Sequence, residues 1–243
     1  MELGEIVTDF VPPPHPAGLL LAGRFVRLEP LRAAHAAALH AANAVDRDGV
    51  NWAYLPYGPY QQAADYRAWV ESVEGGDDPV FLAIINRQTD APEGIASFLR
   101  INRADGVIEV GHINYAPALQ RTTAATEAMF LMMRWVFENG YRRYEWKCNA
   151  LNLKSRRAAQ RLGFSFEGVF RQAALVKGRN RDTAWFAMID RDWPAIRACF
   201  ERFLDQVDDQ AAPSDRMQQP PVALSDLTRP LLYRRDDGAM TLR

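Results

Sequence analysis

Between Val80 and Tyr115 three mainly apolar runs follow one another with short polar breaks. Val80–Asn86 (VFLAIIN), Gly94–Asn102 and Val107–Tyr115 (VIEVGHINY) have strand length and β-branched content, and the breaks at Arg87–Glu93 and Asn102–Gly106 predict hairpins, hence an antiparallel meander. An earlier strand is expected at Gly23–Leu31, where Phe25, Arg27 and Glu29 alternate with Val26 and Leu28. Later strands are expected at Tyr144–Asn149, Phe164–Arg171 and Thr183–Asp190, with a cationic turn, KGRNR, at Lys177–Arg181.

Helical patterns lie between these runs. Arg32–Val45 is alanine-rich. Gln61–Val73 offers Ala64, Trp69 and Val73 as inward positions. A long helix begins at about Thr123 and ends near Asn139, with Gly140 as its stop; its apolar residues (Met129, Phe130, Met133, Val136, Phe137) predict deep burial. Asn152–Leu162 is stopped by Gly163, and a last helix from Asp192 or Trp193 to about Gln206 carries Pro194 where proline is tolerated. Proline at 12, 13, 14 and 16 makes the first residues an extended arm. Val207–Pro221 reads as a polar linker, followed by a tail whose Leu224, Leu227, Leu231, Leu232 and Tyr233 can dock on the domain or on a neighbour.

Composition narrows the function. The 243 residues are 48% hydrophobic, enough for one sizeable core. A net charge of −1 argues against nucleic-acid or anionic-membrane binding, which need a basic surplus. The two cysteines, Cys148 and Cys199, give neither a disulfide framework nor zinc spacing, so no metal is expected. No basic start precedes an apolar run at the N-terminus and no run reaches membrane-spanning length, so a cytoplasmic protein is expected.

The candidate chemistry starts at Ala116–Thr126 (APALQRTTAAT), a small-residue loop between a strand and the long helix. A helix N-terminus offers unpaired N–H groups and the positive end of the dipole, which suits a diphosphate. The loop lacks the Gly-Lys-Ser/Thr of an ATPase loop and the three glycines of a dinucleotide fingerprint. It also fits an ordinary strand-to-helix turn. The aromatic loop Asn51–Tyr60 either plugs the core or walls a cleft.

Three local patterns, in order, resemble the GCN5-related N-acetyltransferase (GNAT) superfamily. They are Gln120-Arg121-Thr122-Thr123-Ala124-Ala125 followed by Thr126-Glu127-Ala128; Glu109–Gly111 ahead of it; and Asn149…Asn152-x-x-Ser155, Arg161-Leu162-Gly163-Phe164 and Glu167-Gly168 after it. The branch resembled most is that of the ribosomal-protein N-terminal acetyltransferases, over roughly Arg24–Leu204. The resemblance implies an α+β (α/β) fold with a mixed, mostly antiparallel sheet of about seven strands, split between the fourth and fifth and flanked by helices. The domain layout expected is an arm at 1–22, the acetyltransferase domain at 23–206, and a linker with a C-terminal tail at 207–243.

The same resemblance implies transfer of an acetyl group from acetyl-CoA, as co-substrate, to a primary amine on a small molecule or a protein N-terminus. It assigns the pantetheine to the backbone of Ile113, Asn114 and Tyr115, and the diphosphate to Gln120, Arg121, Thr122, Thr123, Ala124, Ala125 and Thr126. Asn152 and Ser155 stand on the other wall. Thr123 replaces the family's glycine, and Ala159 stands where many relatives carry a tyrosine acid. These departures keep open a non-catalytic acyl-CoA-binding module. Ser155 is the candidate donor to the departing thiolate, or a helix cap. Glu109 is the candidate general base, or a salt-bridged strand glutamate. Simple alternation puts Glu109 on one face with Gly111 and Ile113, and His112, the second candidate base, on the other. Cys148 reads as a small buried hydrophobe. Arg156 and Arg157 are either partners for the cofactor's ribose phosphate or solvated charges. The acceptor walls are assigned to Trp52, Tyr54, Tyr57, His112, Trp146 and the KGRNR turn. Tail and resemblance together raise the expectation of a homodimer.

Overall fold

The structure, a computed structural model, describes residues 3–206 and 222–238. One eight-stranded sheet runs in the order β1-β2-β3-β4-β5-β6-β8-β7, with β1 Leu21–Ala22, β2 Val26–Pro30, β3 Val80–Asn86, β4 Ala91–Asn102, β5 Val107–Tyr115, β6 Arg143–Asn149, β7 Ser165–Val176 and β8 Arg179–Ile189. Every neighbouring pair is antiparallel except β5–β6. That parallel pair needs a crossover, which α3 (Thr123–Glu138) supplies.

The sheet is covered on both faces. On one lie α3, α4 (Leu153–Arg161) and α5 (Trp193–Asp205), packed over Ile108, Val110, Tyr144, Trp146 and Phe186. On the other lie α1 (Ala36–Asn43) and α2 (Ala63–Val73), packed with Trp52, Phe81, Ala83 and Ile85. β3 is buried along nearly its whole length because its alternate residues enter both clusters.

The four-residue spacing of Tyr66 and Val70 sets the inner stripe of α2; Ala64 falls off that stripe and is exposed. The cationic turn expected at Lys177–Arg181 is only Lys177–Gly178, because β7 and β8 pair out to Val176↔Arg179 and draw Arg179 to Arg181 into the ladder. Leu21 and Ala22, read as arm, form a short strand on β2. The proline segment lies against the domain, its Pro13 and Pro14 carbonyls accepting from Arg103 Nε at 2.6 Å and the Tyr141 hydroxyl at 2.9 Å.

The described tail packs on its own domain. α6 (Leu224–Thr228) buries Leu224 in the main core, and Phe166 N donates to the Arg234 carbonyl at 3.0 Å. Leu231 and Tyr233 stay exposed. The expected linker, 207–221, lies outside the described residues, as do 239–243.

Candidate active site

β5 and β6 pair from Val107↔Arg143 to Val110↔Trp146 and then part. Gly111–Tyr115 and Lys147–Asn149 continue without each other, so the sheet opens between the parallel strands. A bulge accompanies the opening: His112 has φ 52°, and the β4–β5 register shifts between Ile95 and Ser97. A bulge adds one residue and bends its strand, which carries β5 away from β6. It also breaks the alternation expected from sequence. Ile113 packs with the α3-side core, whereas the His112 ring meets Phe81 and Tyr57 on the α1/α2 side, the face of Glu109. Asn114 sits in this unpaired stretch, 2% exposed, with neither side-chain polar atom hydrogen-bonded.

The loop after β5 leaves donors free. Thr122 caps α3, its Oγ1 accepting from Ala125 N at 3.1 Å, and its carbonyl accepts from Thr126 N. Arg121 takes φ 62° to turn the chain. Among the described residues the backbone N–H groups of Arg121, Thr123 and Ala124 have no partner. Gln120 lines the cleft, but its side-chain N–H groups are spent on Asn51 Oδ1 and the Tyr115 carbonyl.

The opposite wall is α4. Asn152 caps it, accepting from Ser155 N at 3.1 Å, so Ser155 is not the cap. Instead Ser155 Oγ accepts the Trp146 indole N–H at 3.0 Å, which leaves the hydroxyl proton free to donate. Beside it Cys148 is 6% exposed, and burial pushes its thiol up to about 11. Arg156 does not line the cleft: it is 2% exposed and held by Asp236 from the tail, with Nε to Oδ2 at 2.5 Å.

On the α1/α2 face Glu109 is 4% exposed. Lys147 Nζ lies 3.0 Å from its Oε2 but off the line of a hydrogen bond, and Arg100 lies at 3.4 Å. Burial raises the Glu109 pKa and outweighs both cations. Glu145 also meets Lys147, at 2.6 Å. Burial would raise its carboxyl too, but hydrogen bonds from Lys147 and Arg143 bring it below the ordinary value. Burial holds the His112 imidazole down at about 4, with Arg181 and Arg100 adding to the effect.

Glu109, His112, Asn114, Arg121, Lys147 and Ser155 line one cleft of about 1290 Å³ that passes through the split from the α3 side to the α1/α2 side. Of the expected acceptor-wall residues, Tyr54, His112 and, from the KGRNR stretch, Arg181 line it on the α1/α2 side. Trp52 is 4% exposed in the core, and Tyr57 lies behind His112 with ring centroids 5.6 Å apart. The aromatic loop therefore mostly fills the core. Trp146 is on the α3 side, against Phe164. Among the bonds that hold the loop over the cleft are the Tyr54 hydroxyl to the Leu151 carbonyl at 3.3 Å and Lys177 Nζ to the Trp52 carbonyl at 3.0 Å.

Comparison with known proteins decides the family. Residues 26–165 match the model of the acetyltransferase (GNAT) domain. A GCN5-related N-acetyltransferase from Brucella melitensis is 40% identical over 92% of this chain and 100% of its own, with a TM-score of 0.85. The chain belongs to the GNAT family. A second GNAT-family structure, from Chromobacterium violaceum, is 38% identical over 80% of this chain and 98% of its own, with a TM-score of 0.75. RimL, the ribosomal L7/L12 alpha-N-protein acetyltransferase, shares the fold at 19% identity, over 70% of this chain and 94% of its own, with a TM-score of 0.60. No functionally curated protein matches.

Within this GNAT fold, Ala159 is fully buried under the sheet and does not line the cleft, so Ser155 is the hydroxyl that α4 offers there. Several cleft residues were not singled out from sequence. Lys154 and Arg161 line it near the loop, and Arg161 donates to Thr126 Oγ1 at 3.2 Å. Arg100 and Lys147 line it near Glu109. The alternation of β6, which puts Glu145, Lys147 and Asn149 on one face, was the available signal for Lys147. Arg100 carried none. Among the described residues no helix is long and apolar enough to cross a membrane.

Proposed function

We propose that this GNAT protein transfers the acetyl group of acetyl-CoA to a primary amine by direct attack in a ternary complex. The observation that carries the reading is that Arg121, from a loop with three unpartnered amides, and Ser155 on α4 line the same split as a buried carboxylate, Glu109, on the other face.

The residues fit a CoA thioester. The amides of Arg121, Thr123 and Ala124 suit a diphosphate at the N-terminus of α3, and Arg121, Lys154, Arg157 and Arg161 line the cleft around them. The edge of β5 at Ile113–Tyr115, lacking a β6 partner, can pair with the pantetheine amides as with a strand, and Asn114 has its amide unspent. Bound there, acetyl-CoA would supply an activated acyl group with a thiolate leaving group.

This chain's own residues do the rest. The split brings an amine from the α1/α2 side to the α3-side thioester, so positioning supplies much of the acceleration. Glu109, with its raised pKa, accepts a proton from the incoming ammonium directly or through water. His112 is the weaker base, because burial disfavours its charged form. Ser155 donates to the departing sulfur, its proton aimed by the bond from Trp146. Cys148, held as a thiol, is not needed as a nucleophile.

The test is calorimetry with acetyl-CoA together with thiol release over a panel of small amines and peptide N-termini. Binding with turnover supports the reading. Binding without turnover on any acceptor supports a non-catalytic acyl-CoA module instead, and absence of binding removes both.

A further inference from the structure

The cleft has a single carboxylate among its described lining residues, Glu109, against seven arginines and lysines, although the chain as a whole is close to neutral. Four of these cations lie about the α3-side loop and α4, where phosphates are expected. Arg100, Lys147 and Arg181 line the other half, on the side of Glu109 and His112.

Two of those three are occupied. Lys147 sits between Glu109 and Glu145 and over the Trp185 ring, 3.7 Å from its centroid. Arg100 reaches Glu109. Arg181 is different. Among the described residues its side chain has neither an ion pair nor a hydrogen bond, and its Nε is fully buried without a partner. It lies on β8 two residues before Thr183 and four before Trp185, and so on the face of Lys147, which pairs with Trp185. Burial lowers its pKa and Arg100 adds to that, against the opposing pull of Cys148 and Glu109. A guanidinium taken partly out of water with nothing to pair is costly, and the cost is relieved when a ligand brings the opposite charge. The fork of N–H donors matches a carboxylate or phosphate.

We infer that the acceptor is an amine that carries its own anionic group, a carboxylate or phosphate, and that Arg181 binds that group while the amine lies at Glu109. This rests on the acetyltransfer reading above and assigns the class of acceptor. The anion cannot be the cofactor's diphosphate, since Arg181 is on the face away from the Arg121–Ala124 amides.

The experiment compares matched acceptors: an amino acid and its amide, phosphoethanolamine and ethanolamine, and a peptide N-terminus with Asp or Asn in second place. Each is assayed with acetyl-CoA on wild type, Arg181→Gln and Arg181→Lys. The charged member of at least one pair should be preferred by about tenfold in kcat/KM, the preference falling to about twofold or less in Arg181→Gln and persisting in part in Arg181→Lys. Which pair responds identifies carboxylate or phosphate. Arg181→Gln should leave acetyl-CoA affinity unchanged and melt no lower than wild type, because it has no partner to lose. Equal use of charged and neutral amines overturns the inference while leaving acetyltransfer intact. So does an Arg181→Gln enzyme that loses acetyl-CoA affinity, melts lower, or slows equally on every acceptor. If acetyl-CoA does not bind at all, the functional reading fails, and calorimetry of the anionic amines on wild type and Arg181→Gln still decides the role of Arg181.

Discussion

The Trp146 indole donates to Ser155 Oγ at 3.0 Å across the gap between β6 and α4. A hydroxyl that accepts from a fixed donor has its own proton turned elsewhere, and the cleft is where Ser155 is open. Replacing Ser155 by alanine should lower kcat roughly 100-fold, the scale seen when one donor to a developing charge is removed. Acetyl-CoA affinity should change little. Trp146→Phe, which keeps the packing but frees the hydroxyl, should cost less. Single-turnover kinetics with calorimetry on the same preparations checks both.

The loop can be tested one amide at a time. Thr123 is the first helical residue of α3, a position where proline is tolerated, and Thr122 before it is already extended at φ −93° and ψ 163°. Thr123→Pro therefore removes one free N–H without disturbing the helix. Loss of one hydrogen bond to a charged group should weaken acetyl-CoA binding about 10- to 100-fold. Thr123→Ala keeps the amide and should bind as wild type, unless the hydroxyl itself touches phosphate. Calorimetry on both variants, with melting curves as control, separates these outcomes.

Much of this was legible beforehand, and the misses share a cause. The meander, α3 and the small-residue loop follow from local periodicity and capping, which act within a few residues. The face of His112 did not, because alternation fails at a bulge whose register is set by β4. Arg156 looked like a solvent or phosphate arginine because its partner, Asp236, is 80 residues away. Glu127 was quoted only as part of a motif. Its carboxylate accepts the N–H groups of Arg24, Phe25 and Val26 at 2.6–2.9 Å, and a Cβ on Gly23 would fall 2.4 Å from its carboxyl carbon. Neither long-range pairing leaves a mark in spacing or composition.

Glu109 and His112 each predict a loss on acidification, one in activity and the other in stability. Burial raises the Glu109 pKa, so kcat/KM should climb with pH through a value above the ordinary carboxylate range. Glu109→Gln should lose that limb and roughly 100- to 10,000-fold in rate. His112 concerns stability. Its pKa falls from 6.5 to about 4 on folding, so the unfolded chain takes up the proton first as the solution is acidified. Stability is unaffected above the unfolded value and declines as pH drops from about 6.5 towards 4, by about 2 kcal/mol at pH 5. His112→Phe removes this loss. Urea unfolding of both proteins at pH 7 and pH 5 should show the variant gaining on wild type at the lower pH.

The tail bears on the site through α4. Arg156 is 2% exposed; Asp236 takes its Nε, and the Ala150 carbonyl takes its Nη1 at 2.9 Å just ahead of the Asn152 cap. Gln160 further fastens the tail, exchanging bonds of 2.8 and 3.1 Å with the Asp236 main chain. Asp236→Ala would strand a buried guanidinium, a change that costs about 3–5 kcal/mol. The paired replacement Arg156→Met with Asp236→Ala should recover most of that, since both charges go together. Because the same arginine fixes the turn into α4, Asp236→Ala should also loosen Asn152 and Ser155 and raise the KM for acetyl-CoA more than that for the amine. Denaturant unfolding and two-substrate kinetics measure the two effects. A variant that unfolds easily yet keeps its wild-type KM would make the tail a fastening for stability alone, with no hold on the wall that faces the thioester.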